Sequence, residues 1–318
     1  MCKLVNSSFF VTFLLCCFSS FLSLAQELEP AVDTTKAWDL GGTGSLNFNQ
    51  VSLSNWAAGG QNSFSVLSNV SAYGNYKKRN NSLDISVDII YGTVKLEEKR
   101  WRKSDDKFEL NVKYGRRASS DWNYSAQFNF KSQLTPTYTI TRDTLLSNFL
   151  SPATMLVSLG MDYKPNKKLS VLMSPLTGKY TIVQSQMLAD RGSFGVQKAE
   201  TDTEGNIIPG TGEHVRKEVG GYVNIRYRDE VFKNISVQSK LDLFSNYVRR
   251  PENIDVNWEN NFIFKVNKFI SASLFFHMIY DDDVLIAYDS NEDGNNDRKA
   301  PRLQLKETFG LGLAYKLE

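Results

Sequence analysis

Cysteine is nearly absent from this chain of 318 residues, and the three present, Cys2, Cys16 and Cys17, all stand near its start. A chain shorn of that segment can form no disulfide and offers no thiolate for metal binding or nucleophilic attack. Histidine is scarcer still, with only His214 and His277. Neither charge sign dominates: 37 Lys and Arg stand against 35 Asp and Glu, so no basic excess argues for nucleic acid. Beyond Ala25 no apolar run approaches the roughly 20 residues of a membrane-spanning helix. Aromatics, by contrast, are plentiful, with 20 Phe and 14 Tyr in a chain of polar mean hydropathy. That mixture suits alternating strands better than membrane helices.

The N-terminus has the parts of a secretory signal. Lys3 precedes an apolar run from Phe9 to Leu24, and Ser23-Leu24-Ala25 places small residues for cleavage before Gln26. Cys16 follows Leu15 and Cys17 follows Cys16, so neither has the small neighbour of a lipoprotein site. The expected division is a signal peptide over 1–25, an aperiodic periplasmic lead over 26–37, and one barrel domain over 38–318.

From Leu303 to Leu317 the sequence has a period of two. Leu303, Leu305, Phe309, Leu311, Leu313, Tyr315 and Leu317 share one parity; Gln304, Lys306, Thr308, Gly310 and Gly312 share the other. Such a terminal strand, with an aromatic near its end, suits the closing strand of an outer-membrane barrel, Tyr315 serving as anchor. Upstream, about eleven further segments alternate in the same way, making about twelve strands in all. Leu83, Ile85, Val87 and Ile89 oppose Asp84, Ser86 and Asp88; Trp122, Tyr124, Phe128 and Phe130 oppose Asn123, Ser125, Gln127 and Asn129. The first strand is the faintest, expected near Ser45 to Leu53. Pro175 and Gly178 interrupt the seventh, predicting a bulge within Ser174 to Lys179.

The connections alternate long and short, among them a polar loop from Glu97 to Asp106 and the longest, rich in Gly, Asp and Thr, from about Gln184 to Val215. Tyr76, Tyr114, Trp122, Tyr124, Tyr163, Tyr227 and Tyr315 cluster beside short turns; Tyr91, Tyr247, Trp258 and Tyr280 cluster beside long loops. Sorted loops and two aromatic girdles predict an all-β transmembrane antiparallel barrel with both termini periplasmic. The soluble alternative is a lipocalin-like periplasmic binding protein, which would turn its apolar face inward.

The stretches NWAAGGQNS (Asn55–Ser63), KSDDKFEL (Lys103–Leu110), SNFLSPA (Ser147–Ala153), SPLTGKYTIV (Ser174–Val183), LADRGSFGV (Leu188–Val196), NIDVNWEN (Asn253–Asn260), YDDD (Tyr280–Asp283) and LQLKETFGLGLAYK carry a resemblance. With them the chain resembles an uncharacterised Bacteroidota family, classed as a domain of unknown function. The resemblance implies an outer-membrane β-barrel, extends over nearly all of the chain after the signal, and brings no activity with it.

Candidate chemistry is sparse. The polar parity should fill the lumen with Asp84, Asp88, Glu109, Lys113, Lys131, Asp162, Glu218, Arg226, Lys240, Asp242, Glu259, Lys265, His277 and Lys306. Their signs are mixed, which favours paired charges plugging the bore over an ion-selective pore. DSNEDGNND places Asp289, Asn291, Asp293, Asn295 and Asp297 at calcium-loop spacing with Gly294 at the turn, but lacks the bidentate Glu, since Ala300 stands there. Calcium is the only cofactor suggested; a solvated hairpin tip fits the same residues. No catalytic residue is identified, although His277 could serve as a base in a barrel enzyme acting on outer-membrane lipid or lipopolysaccharide. The leading expectation is a non-enzymatic outer-membrane barrel, either a narrow channel or a structural or surface-binding protein. Its partners would be outer-membrane lipid and the barrel-assembly machinery, together with a small-molecule or surface partner that the sequence does not specify.

Overall fold

Twelve strands close into one antiparallel ring, in the order β1-β16-β13-β12-β11-β10-β9-β8-β5-β4-β3-β2. The computed structural model describes residues 37–52, 62–96, 100–139, 143–267, 270–291 and 297–317, with the backbone alone for 51 and 314–317. The strands are β1 (Trp38–Val51), β2 (Ser63–Lys78), β3 (Asn81–Leu96), β4 (Arg102–Arg117), β5 (Trp122–Ser132), β8 (Ala153–Tyr163), β9 (Leu169–Ile182), β10 (Val215–Phe232), β11 (Ile235–Asn246), β12 (Ile254–Lys265), β13 (Ile270–Tyr280) and β16 (Gln304–Leu317). Two small hairpins, β6 (Thr137–Tyr138) with β7 (Leu145–Ser147) and β14 (Leu285–Tyr288) with β15 (Arg298–Pro301), lie inside connections and outside the ring.

The alternation in the sequence becomes two faces because side chains in a strand point alternately to either side. Along β8, Val157 and Leu159 are 44% and 53% exposed while Ser158 between them is 0% exposed. Along β5, Ser125, Gln127 and Asn129 are buried and Tyr124 is exposed. The apolar face is therefore outward and the polar face inward, opposite to a lipocalin-like interior. Closure leaves few unpaired backbone groups, which is what allows strands to sit in hydrocarbon.

Short turns gather at one rim. β2 and β3 are joined by 79–80, with Arg79 left-handed at φ 53°, and Asn234 takes the same conformation (φ 68°) between β10 and β11. Such tight turns match the twist of the strands they join. Both ends of the barrel domain, Trp38 and Leu317, belong to this rim. Aromatic pairs mark it: Trp38 and Tyr76 have ring centroids 5.2 Å apart, Trp122 and Tyr163 4.9 Å.

Three expectations need correction. The first strand begins at Trp38, seven residues before Ser45, because Gly41, Gly42 and Gly44 carry no side chain to show a period. The loop expected from Glu97 to Asp106 is shorter, since β4 starts at Arg102; residues 97–99 lie outside the described set. The connection between β9 and β10 is built rather than merely polar. It holds a short helix, α1 (Gln186–Asp190), and a 3-10 turn at Ser193–Gly195.

That connection has a small core of its own, in which Val183, Leu188, Ala189 and Val196 are buried against Leu145 and Phe194. His214 ties it down: Nδ1 lies 2.7 Å from the Val183 carbonyl and Nε2 2.9 Å from Gln186 Oε1. The carboxylate of Asp190 accepts the backbone N–H of Gly210 and of Gly212, each at 3.0 Å.

The bulge expected at Ser174 to Lys179 is present. Pairing shifts register between Leu159 and Met161 on β8 and between Gly220 and Tyr222 on β10, both opposite the Ser174–Leu176 region of β9. Gly160 makes it fit, since a Cβ there would lie 2.0 Å from the Met173 carbonyl oxygen. The bulge reverses parity, so Leu172 and Ser174 point inward before it, and Thr177 and Thr181 after it.

Candidate functional site

The bore is crossed by side chains, and one strand supplies most of them. The inward residues of β4 are Asp105, Lys107, Glu109, Asn111 and Lys113, and each meets a different part of the wall. Asp105 pairs with Lys306 of β16. Lys107 Nζ lies 2.9 Å from both carboxylate oxygens of Glu259 on β12. Glu109, only 2% exposed, pairs with Lys240 of β11. Asn111 Oδ1 accepts a 3.0 Å bond from Arg226 of β10. Lys113 Nζ reaches Asp162 of β8 at 2.8 Å and Ser170 of β9 at 2.9 Å.

Those partners follow one another around the ring. A tilted strand explains the sequence of contacts, because each step of two residues along β4 moves down the barrel and around it together. The result is a staircase of polar bridges from the long-loop rim to the short-turn rim.

The charges are also linked along the bore. Glu109 has Lys107 at 2.9 Å and Lys131 at 3.8 Å, besides Lys240. Lys131 is 3.7 Å from Asp242, which accepts the Tyr222 hydroxyl at 2.5 Å and the Asn224 amide at 2.6 Å. Asn129 donates at 2.8 Å to both Glu109 and Asn111. Buried charges hold only when paired and hydrogen-bonded in this manner.

Nearer the short-turn rim, Lys164 lies 2.8 Å from Asp84 and 3.3 Å from Asp162. Burial works to lower the Lys164 ammonium, and the two carboxylates more than offset it, leaving it above the usual lysine value. Nearer the long-loop rim, Lys179 is 2.7 Å from Asp255, and Glu218 takes Arg216 at 2.6 Å and Asn246 at 3.0 Å.

Most of the residues expected in the lumen thus meet one another across it. Asp88 has a local role, accepting the Ser71 hydroxyl at 2.6 Å. Lys265 corrects the expectation, since it ends β12 at the short-turn rim and is exposed there. His277 faces inward with Nε2 2.6 Å from Asn257 Oδ1 and 4.0 Å from Glu259, away from the outward apolar face. Within DSNEDGNND, Asp297 takes the backbone N–H and hydroxyl of Ser290 at 2.7 and 2.6 Å, and Asp289 takes the Asn291 N–H at 3.1 Å. Asp293 and Asn295 lie outside the described residues, as does the side chain of Tyr315.

Sequence patterning missed an apolar knot on the inner face. Leu172, Tyr222 and Phe244 are buried together with Leu156 packed against them, and Lys179 Nζ sits 4.8 Å above the Phe244 ring. All four share parity with polar neighbours, which is the signal that could have placed them inside. Parity also places Glu307, between Leu305 and Phe309, on the outward face.

These features define the class: an all-β, closed, 12-stranded antiparallel barrel. Residues 48–138, from the end of β1 to β6, match the model of a family described as a protein of unknown function (DUF3078). No curated protein matches the chain. Among solved structures, the translocator domain of the autotransporter NalP from Neisseria meningitidis is similar at 9% identity and a TM-score of 0.36, over 97% of this chain and 95% of that one. An outer membrane channel from Pseudomonas putida F1 is similar at 12% identity and a TM-score of 0.38, over 92% and 99%. The NanC porin is similar at 7% identity and a TM-score of 0.35, over 87% and 98%.

Proposed function

We propose that this chain is a non-enzymatic outer-membrane barrel with a bore closed by its own side chains, acting as a membrane-seated scaffold for its long-loop rim. The observation that carries this is the staircase from β4, in which five successive inward positions engage strands from β16 round to β8. An open pore needs a continuous water path, and salt bridges spanning the bore stand in its way. The rim opposite the short turns carries the built elements: the β6–β7 hairpin, α1 with its own core, and the β14–β15 hairpin. In this proposal both termini and the short turns face the periplasm, the long loops face outward, and residues 1–25 act as the export signal.

The test is electrical. Purified protein inserted into planar bilayers should show no steady single-channel conductance. Long-lived open steps from the unaltered protein would overturn the closed-bore reading and restore the narrow channel.

A further inference from the structure

Charge is nearly balanced over the whole chain, and the charges that cross the bore are paired. The short-turn mouth departs from that balance. A cavity of about 220 Å³ opens there among the ends of β2, β3, β4 and β5, and its lining sets Lys77, Arg79, Arg117 and Lys164 against a single acid, Asp84. Asp39 of β1, in register with Asn75, adds one acid beside the lining and leaves the cations in excess.

Strand register assembles this mouth. Asn75 is opposite Asp84, Lys77 opposite Ser82, and Arg117 opposite Asn123, so inward positions from four strands lie side by side. Gly115, inward between Lys113 and Arg117, keeps the wall low, since a Cβ there would lie 2.7 Å from Ser82 Oγ. Lys164 is held by Asp84 and Asp162. Among the described residues no carboxylate pairs with Lys77, Arg79 or Arg117, and all three are exposed. Arg79 also occupies a left-handed turn position, φ 53°, which Gly or Asn would adopt at less cost.

We propose that this mouth binds the phosphate group of a small solute, either free phosphate or a phosphate monoester. Two guanidiniums and an ammonium line one cavity, and a guanidinium fork matches two phosphate oxygens at once. A phosphate monoester carries roughly −1.5 to −2 charges at neutral pH, whereas one carboxylate would offset only one of the three cations. The cavity is smaller than the roughly 300–1,000 Å³ of drug-sized pockets, which suits a small ligand. Lys77 and Arg117 stand on inward positions and Arg79 on a turn, so the ligand enters from solvent on the short-turn side and not from the bilayer. Binding here does not require the bore to open.

Isothermal titration of the purified protein in detergent micelles, with inorganic phosphate and separately with glycerol phosphate, should show saturable binding of at least one. Arg79→Asn removes a charge while suiting the left-handed backbone, and Arg117→Gln removes another. Each should weaken binding about tenfold. Lys168→Gln should leave binding unchanged, because Lys168 stands on the same rim outside the cavity lining and pairs with Asp229. Heat-modifiable gel mobility identifies the variants that have folded. In the unaltered protein, phosphate should also raise the melting temperature above that in chloride at equal ionic strength. Tighter binding of the ester would assign the site to phosphorylated solutes, and tighter binding of the inorganic ion would assign it to phosphate itself. No saturable binding of either probe, equal binding of succinate, or an equal loss in Lys168→Gln would overturn the proposal.

Discussion

Lys107 Nζ and the Glu259 carboxylate meet at 2.9 Å from opposite sides of the barrel. Between their strands lie β11, β10, β9, β8 and β5 on one side and β13, β16, β1, β2 and β3 on the other. A contact between opposite walls requires both side chains to extend across the bore. In the proposed closed-bore reading, such bridges make the interior a packed polar core.

Glu109 holds that core together, because three lysines converge on it. Glu109→Ala leaves Lys107, Lys131 and Lys240 facing one another with less counter-charge. Removing one partner of a buried pair costs about 3–5 kcal/mol. Urea unfolding in detergent micelles should show a loss of that size, and a midpoint within error of the parent would contradict the role given to Glu109.

At Gly160 of β8 the backbone of β9 lies where a side chain would go. Gly160→Ala should be destabilising by about 1–3 kcal/mol, the usual cost of overpacking, because the Met173 carbonyl oxygen occupies the added methyl's place. Gly44→Ala is the control, since nothing lies within 4 Å of its Cβ position. Equal thermal stability of the two variants would refute the close approach.

Closure depends on the last residues of β16. Among the described residues, every pair between β1 and β16 uses Leu311 to Leu317. Deleting 311–318 should abolish the compact, heat-modifiable form on gels, since an open sheet edge is not tolerated in hydrocarbon. Normal heat-modifiability of the truncated chain would show that some other pair of strands closes the ring.

The connection between β9 and β10 should loosen in acid. The backbone N–H of Gly210 contributes most to holding the Asp190 carboxyl below its ordinary value of 3.8, followed by the Gln186 amide. A depressed folded value stabilises the loop above the ordinary value, and that stabilisation is lost as the pH falls through the folded one. Amide exchange at Gly210 and Gly212, corrected for the intrinsic rate, should be protected at neutral pH and lose protection below about pH 4. Asp190→Asn should flatten the profile; a profile identical to the parent would exclude Asp190 as its source.

The sequence made the wall legible where side chains filled both parities. β3 and β5 stand out because apolar and polar residues alternate without interruption, and Pro175 marked the bulge. β1 was hidden where glycines left its period blank. The inner knot of Leu172, Tyr222 and Phe244 was hidden because alternation separates faces but does not require every inward residue to be polar. Partner choice across the bore was not legible at all. Nothing local links Lys107 to Glu259, which depend on the tilt and closure of the whole ring. α1 and its core escaped notice because polar and glycine-rich surroundings outweighed a few apolar residues.

The bridges from β4 join residues far apart in the chain: 201 positions for Asp105 with Lys306, 152 for Lys107 with Glu259, 131 for Glu109 with Lys240 and 115 for Asn111 with Arg226. Contacts of such separation form only after the intervening strands have paired. The staircase is thus a latch set last. Interactions that arise after the rate-limiting step slow unfolding and leave the folding rate unchanged. For this barrel, the polar interior would govern how long the closed ring lasts once made, with little bearing on how fast it is made.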